Sequence, residues 1–156
     1  PARDPLAERP RRFVTIDSRQ DGDGEATRIR VRRPDHQVGL TVVQSRSHPS
    51  AELEAYLQTI KVAESLSVGS SLKLCAVAEG KADMYPRLGP TCEWDTAAGQ
   101  ALLEGAGGAL LGMDGEPLRY NAADSLYSPN FYGIADPDHA LWRDLLAQGG
   151  FATAQE

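Results

Sequence analysis

Asp95 lies in the segment Glu93-Trp94-Asp95-Thr96-Ala97-Ala98-Gly99, which reads as the opening of a helix. Gly89-Pro90-Thr91 breaks the backbone before it and an apolar run follows. An acid in a first helical turn faces free backbone N–H groups and the positive end of the helix dipole. It is held ionised and in one place, and the small residues after it leave room for a metal, a phosphate or another backbone. Such a carboxylate can hold a cation or simply cap its helix, and a short motif leaves both readings open. Gly69-Ser70-Ser71-Leu72-Lys73 offers the opposite sign. A glycine precedes two hydroxyls at a helix start, where free N–H groups can receive an anion, and Lys73 adds a charge one turn on. The plainer reading is a serine cap with a surface lysine. Arg87 follows a strand and a proline, so it projects from a strand end. That is where α/β folds place ligands, although a solvated arginine fits equally. His48 ends another strand, with the same two readings.

Helices and strands must bring these positions together. Residues 13–16 alternate weakly and read as a strand, and 27–32 alternate as a half-exposed strand does, its arginines read as a solvated face rather than an anion surface. Asp21-Gly22 and Asp23-Gly24 mark a turn. Gly39-Leu40-Thr41-Val42-Val43-Gln44-Ser45 is a β-branched run and reads as a buried strand. After a loop at 47–50, Leu53, Tyr56, Leu57 and Ile60 recur at helical spacing within 51–60. A short extended piece at 65–68 leads to Gly69-Ser70-Ser71, which opens a helix that stops at Gly80. Residues 82–85 read as a strand ending at Pro86-Arg87. The helix that holds Asp95 runs to about Glu104 and stops at Gly105-Ala106-Gly107-Gly108. Strands follow at 109–112 and 131–135, with a turn at 113–116. Asp136 caps a last helix with Pro137 in its first turn, and Leu141, Trp142, Leu145 and Leu146 form its apolar face. Alternating strands and helices predict an α/β layer fold.

The chain has 156 residues, 41% apolar and 24% charged, enough for one domain with a real core. A net charge of −6 argues against non-specific binding to nucleic acid, although a local site can reverse the sign. No apolar run approaches the roughly 20 residues of a membrane span. The N-terminus is polar, rich in arginine and proline, and has no signal-peptide stretch, so a cytoplasmic location is expected. Cys75 and Cys92 belong to no metal-spaced cluster and read as buried free thiols rather than a disulfide. Residues 1–36 read as a polar N-terminal segment and linker with short strands, and 37–156 as an α/β domain.

In chain order, His48, Ser70, Lys73, Arg87 and Asp95 fall at the ends of successive strands or the starts of successive helices. From Val43 to about Phe131 the sequence closely resembles the C-terminal half of the 3′(2′),5′-bisphosphate nucleotidases of the CysQ type, within the inositol monophosphatase superfamily. The stretches that carry this resemblance are Ser45-Arg46-Ser47-His48, Val68-Gly69-Ser70-Ser71-Leu72-Lys73, Val77-Ala78-Glu79-Gly80-Lys81-Ala82-Asp83, Tyr85-Pro86-Arg87-Leu88-Gly89-Pro90-Thr91 and Trp94-Asp95-Thr96-Ala97-Ala98-Gly99, with Gly115-Glu116-Pro117-Leu118 and Asn130-Phe131 further on. Trp-Asp followed by small residues and a glycine is a superfamily signature. The Gly-Ser-Ser-Leu-Lys and Tyr-Pro-Arg pieces point to the nucleotidase branch. The resemblance implies the C-terminal layered α/β portion of an αβαβα sandwich. It implies removal of the 3′-phosphate of adenosine 3′,5′-bisphosphate to give AMP and phosphate, with Mg²⁺ as cofactor and lithium as inhibitor. On the same basis Asp95 is a metal ligand that orients the attacking water, and Lys73 and Arg87 bind phosphate. Ser70 supplies a hydroxyl and a backbone N–H, and His48 sits on the same rim. The partner is then a small nucleotide bisphosphate, and the family adds a peripheral association with the inner membrane as a second location.

The family's remaining metal ligands are a glutamate and an Asp-Pro-Leu-Asp-Gly-Thr segment, and neither has a counterpart here. Asp4-Pro5-Leu6 begins like that segment, but Ala7-Glu8-Arg9 follows, and it lies too close to the Val43 strand. The chain is therefore read as the C-terminal portion of a bisphosphate nucleotidase, without the N-terminal catalytic half. One carboxylate cannot hold two Mg²⁺ ions, each of which needs about six oxygens. Negligible turnover by this chain alone is the expectation, together with self-association through the apolar edge that lacks its partner. Two other readings stand: an inositol-phosphate or sugar-bisphosphate phosphatase of the same superfamily, and a non-catalytic nucleotide-binding or regulatory half-domain.

Overall fold

Two short strands, β1 (Thr15–Ile16) and β2 (Thr27–Arg28), pair antiparallel in a computed structural model that describes residues 15–16, 27–35, 37–46 and 50–147. The strand expected over 27–32 stops at Arg28 because tertiary contacts claim the residues that follow. Val31 donates its N–H to the Ala106 carbonyl at 3.1 Å. Arg32 reaches Asp83 through Nε at 2.7 Å and Nη2 at 2.5 Å. Asp83 is only 1% exposed and also accepts from the Thr41 N–H at 2.7 Å, so this carboxylate is satisfied on both oxygens.

The β-branched run forms β3 (Leu40–Ser45), and Ser50 then caps α1 (Ala51–Leu57) by accepting from the Leu53 N–H. The helix expected over 51–60 ends early, where Thr59 turns its N–H onto the Tyr56 carbonyl. β4 (Val62–Val68) is longer than the extended piece read at 65–68. It is followed by α2 (Leu72–Ala78) and β5 (Met84–Arg87). Gly80 ends the α2 segment at φ +73°, a left-handed conformation natural to glycine. β6 (Thr91–Cys92) precedes α3 (Glu93–Gly105) and β7 (Ala109–Gly112). β8 (Tyr127–Ser128), β9 (Phe131–Ile134) and α4 (Ala140–Ala147) complete the described chain.

The main sheet has the order β4-β3-β5-β9-β7. β3 runs parallel to β4 and β5, whereas β9 runs antiparallel to β5 and β7. Side chains alternate across it, as the pleat requires. Val42, Met84, Leu111 and Tyr132 pack with Leu53 and Tyr56 of α1 and Trp142 of α4 on one face. Val43, Tyr85, Leu110 and Phe131 pack with Leu74 and Val77 of α2 and Leu103 of α3 on the other. The fold is thus the layered α/β arrangement that alternation predicted, with both sheet faces covered. β6 and β8 form a separate two-stranded ribbon beside α3 that the sequence pattern did not signal.

The last helix departs from expectation at its start. Asp136 does not cap it but sits at φ +41°, and α4 begins only at Ala140. The Trp142 indole N–H donates to the carbonyls of Ala135 and Asp136 at 2.7 and 3.0 Å. Those bonds hold the turn, and His139 Nδ1 accepts the Leu141 N–H.

Candidate functional site

The cavity opens where two parallel strands part. β3 and β5 share a single registered pair, Val42 with Met84. Further along β5, Pro86 has no N–H to give to β3 and pairs only with Tyr132 of β9. The carboxyl ends of β3 and β5 therefore diverge, and the gap lies between α2 and α3 on the same side of the sheet. A crevice beyond the carboxyl ends of parallel strands is the usual ligand position in α/β sheets. Here it is a cavity of about 240 Å³ lined by Ser45, Ser70, Lys73, Arg87, Asp95 and Thr96 among others. Tyr85 and Phe131 also line it, with their rings edge to face at a centroid distance of 5.7 Å.

Of the residues predicted from sequence, Ser70, Lys73, Arg87 and Asp95 converge on this one cavity. His48 lies outside the described residues. Each of the four arrives differently. Ser70 is in the left-handed region at φ +53°, and its carbonyl accepts from Lys73 Nζ at 2.7 Å. The expected helix opening at Gly69 to Ser71 is thus a tight turn. α2 begins at Leu72, and Ser71 makes no side-chain cap bond. Lys73 is not a surface lysine: it is 5% exposed, with Nζ 5.3 Å from the centre of the Tyr85 ring. Burial lowers its pKa from the ordinary value, and the nearby charge of Arg87 lowers it further.

Arg87 donates from Nη2 to the Pro90 carbonyl at 2.6 Å, while its Nε is buried without a hydrogen-bond partner. A buried guanidinium donor left unpaired is costly unless an acceptor comes to it. Burial pushes the Tyr85 hydroxyl up to about 12, partly offset by Arg87. Among the described residues no ion pair involves Lys73 or Arg87; those present join Arg32 to Asp83 and Lys81 to Glu79 elsewhere. Two cations that repel each other across a small cavity present a site for an anion.

Asp95 occupies the third position of α3 and both caps and lines. Its Oδ2 accepts from the Cys92 N–H at 3.3 Å in a capping box. One of its small neighbours, Gly99, is small for a reason other than ligand access. A side chain on Gly99 would collide with Leu74, so this glycine lets α3 pack on α2. Glu93 is committed elsewhere, taking the Asn121 N–H on both carboxylate oxygens at 3.1 and 2.9 Å. Among the described residues no group of three or more His, Cys, Asp or Glu side chains could hold a metal ion. Mg²⁺ needs about six oxygens, so these residues do not by themselves fit a complete magnesium site.

Cys75 and Cys92 are free, as expected, but both are half-buried rather than buried. Among the described residues no helix is long and apolar enough to cross a membrane. Sequence reasoning missed Ser45, Tyr85 and Thr96 as cavity residues. For Tyr85 a signal existed, because strand periodicity puts it on the same face as Arg87. Thr96, buried with its hydroxyl on the Glu93 carbonyl, left no such trace.

Comparison with known proteins places this geometry. The sequence model of the inositol monophosphatase family matches residues 20–148. The 3′(2′),5′-bisphosphate nucleotidase CysQ of Escherichia coli is 51% identical over 90 residues, covering 58% of this chain and 37% of that protein. The crystal structure of CysQ from Bacteroides thetaiotaomicron, a bacterial member of the same family, superposes with a TM-score of 0.60 and 41% identity. That match covers 71% of this chain and 42% of the other. An inositol monophosphatase from Zymomonas mobilis shares the fold at a TM-score of 0.62 and 21% identity, over 81% of this chain and 50% of its own. The chain thus spans well under two thirds of the length of these relatives.

Proposed function

Because this chain belongs to the inositol monophosphatase family, we propose that it carries the phosphate-gripping part of a Mg²⁺-dependent phosphomonoesterase. The reaction proposed is removal of the 3′-phosphate of adenosine 3′,5′-bisphosphate to give AMP and phosphate. One observation carries the reading: Lys73 and Arg87 meet at one cavity without a carboxylate partner among the described residues. The name of the E. coli relative supports the nucleotide substrate over an inositol or sugar phosphate.

In this reading Lys73 donates to a phosphoryl oxygen from a desolvated position, where a charge-assisted bond is strongest. Arg87 offers its unpartnered Nε to a second oxygen of the same group. The Ser70 hydroxyl, exposed at the mouth, is free to meet the ribose side. Asp95 cannot bind phosphate as an anion itself, and its proposed task is to contribute one carboxylate to a cation. Bound Mg²⁺ would neutralise phosphoryl charge, and its other ligands must come from groups outside the described residues. A cytoplasmic location belongs to the same proposal.

Calorimetric titration of the purified chain with adenosine 3′,5′-bisphosphate, AMP and inositol 1-phosphate in MgCl₂ tests the substrate class. The bisphosphate should bind tightest, and preference for the inositol ester would overturn the nucleotide reading. Phosphate release from the bisphosphate should stay at background with this chain alone. Clear turnover that disappears in Asp95→Asn would show that other residues of the chain complete the metal site.

A further inference from the structure

We propose that Lys73 is an acylation site, whose amine takes the acyl group of a small acyl phosphate seated in the cavity. The proposal rests on the phosphate-gripping reading of this cavity and adds a covalent step to it. The chain has three lysines, Lys61, Lys73 and Lys81. Lys61 and Lys81 are exposed, with their ammonium groups on the Gln37 carbonyl and the Glu79 carboxylate. Lys73 is 5% exposed and lines a cavity of about 240 Å³. Exposure alone ranks it last for reaction, whereas its surroundings rank it first.

Those surroundings supply what attack on a carbonyl requires. A lysine that is desolvated, or set beside another cation, is an activated nucleophile. Lys73 is both, since burial and the Arg87 charge each lower its pKa and so favour the free amine. Its Nζ is aimed by a bond to the Ser70 carbonyl at 2.7 Å and lies 5.3 Å from the centre of the Tyr85 ring. A neutral amine keeps that bond with one hydrogen while its lone pair stays available. Arg87 is the seat for the donor. Its Nη2 is fixed on the Pro90 carbonyl, and its buried, unpartnered Nε can take a phosphoryl oxygen in the cavity that Lys73 also lines. Tyr85 and Phe131 give the acyl group an apolar wall.

In the step itself the Lys73 nitrogen attacks the carbonyl carbon of the acyl phosphate. The new C–N bond forms, and the bond from that carbon to the bridging oxygen breaks. Phosphate leaves with the electron pair and takes the proton that the nitrogen loses. The products are an amide on Lys73 and inorganic phosphate. The amide is uncharged, so the modification removes one of the two cations of the cavity and fills part of its space.

The test incubates the purified chain with acetyl phosphate at about pH 8, where some lysine amine is free. Peptide mass spectrometry reads the initial acetylation rate at each lysine. Lys73 should react at least about tenfold faster than Lys61 or Lys81, because a seated donor has a raised effective concentration at Nζ. Arg87→Met should slow Lys73 by about tenfold or more, the loss of one charge-assisted bond, and leave the other two lysines unchanged. Thermal unfolding checks that the variant is folded. Inorganic phosphate added to the wild-type chain gives an independent reading, since it should slow Lys73 alone. A Lys73 that reacts no faster than the exposed lysines, or that neither phosphate nor Arg87→Met slows, would overturn the inference. Binding of adenosine 3′,5′-bisphosphate alongside an inert Lys73 would do the same while leaving the nucleotidase reading intact. Fast acetylation of Lys73 that the bisphosphate fails to slow would uphold the inference and sink the nucleotide reading.

Discussion

Replacing Lys73 by methionine should make the unliganded protein more stable and the liganded state weaker. The side chain is 5% exposed, and its ammonium lacks a carboxylate partner among the described residues. Methionine keeps most of the aliphatic packing and removes the charge. The loss is one hydrogen bond to the Ser70 carbonyl, about 1 kcal/mol, and a cation–π contact with Tyr85, about 0.5–1 kcal/mol. Ser70 is exposed, so water can replace the lost donor. Against this stands the desolvation of a buried cation, several kcal/mol per ion. A net gain of about 1 kcal/mol is expected, or a rise in Tm of roughly 2–4 °C for a chain of this size. The difference should shrink as pH rises. Lys73 has a lowered pKa in the fold, so above that value the folded protein binds fewer protons than the unfolded chain. Wild-type stability then increases with pH until the unfolded lysine also titrates, near 10.5. Binding should move the opposite way. Loss of a charge-assisted bond of about 1.5–3 kcal/mol weakens adenosine 3′,5′-bisphosphate by roughly ten- to 150-fold. Differential scanning calorimetry at pH 7 and pH 9.5 reads the first effect, and titration calorimetry the second. A variant less stable than wild type at pH 7, or one that binds the nucleotide unchanged, would refute the assignment of Lys73 as a strained, ligand-facing cation.

Affinity of the wild-type chain for the bisphosphate should fall as pH rises through the lowered pKa of Lys73, because an occupant anion favours the protonated lysine; a flat profile to pH 10 would place the charge elsewhere. Arg32→Ala leaves Asp83 buried with only the Thr41 N–H for company and should cost about 3 kcal/mol in urea unfolding; a change below about 1 kcal/mol would show that water replaces the guanidinium. Gly99→Ala should cost about 1–3 kcal/mol, since the new methyl meets Leu74 at the α2–α3 contact. The same variant should weaken nucleotide binding, because α2 carries Lys73 and α3 carries Asp95. Unchanged binding would mean that the two helices adjust without moving the cavity.

Much of the fold was legible because local patterns report local geometry. The run at 40–45 had the β-branched residues of a strand buried on both faces, and it is one. Gly80 sat where a helix needs a left-handed stop, and its φ is +73°. The errors occurred where a distant group claimed the backbone. The arginine alternation over 27–32 looked like a strand, yet Arg32 is taken by a carboxylate 51 residues away. The start of α4 was misplaced because Trp142 fixes the preceding turn from inside the helix.

The sequence by itself determined which residue types were available for chemistry: Ser70, Lys73, Arg87 and Asp95, each beside a turn or an element end. It could not say that they meet. Their meeting depends on β5 lying between β3 and β9, on β5 parting from β3 at a proline, and on α2 and α3 covering the gap from one side. Strand neighbours are chosen by pairing and burial across the whole chain, to which a local period is blind. The same limit hid the state of Lys73. A lysine within a helix reads as solvated until the sheet and a second helix close over it, and only that enclosure turns an ordinary side chain into a buried cation in need of an anion.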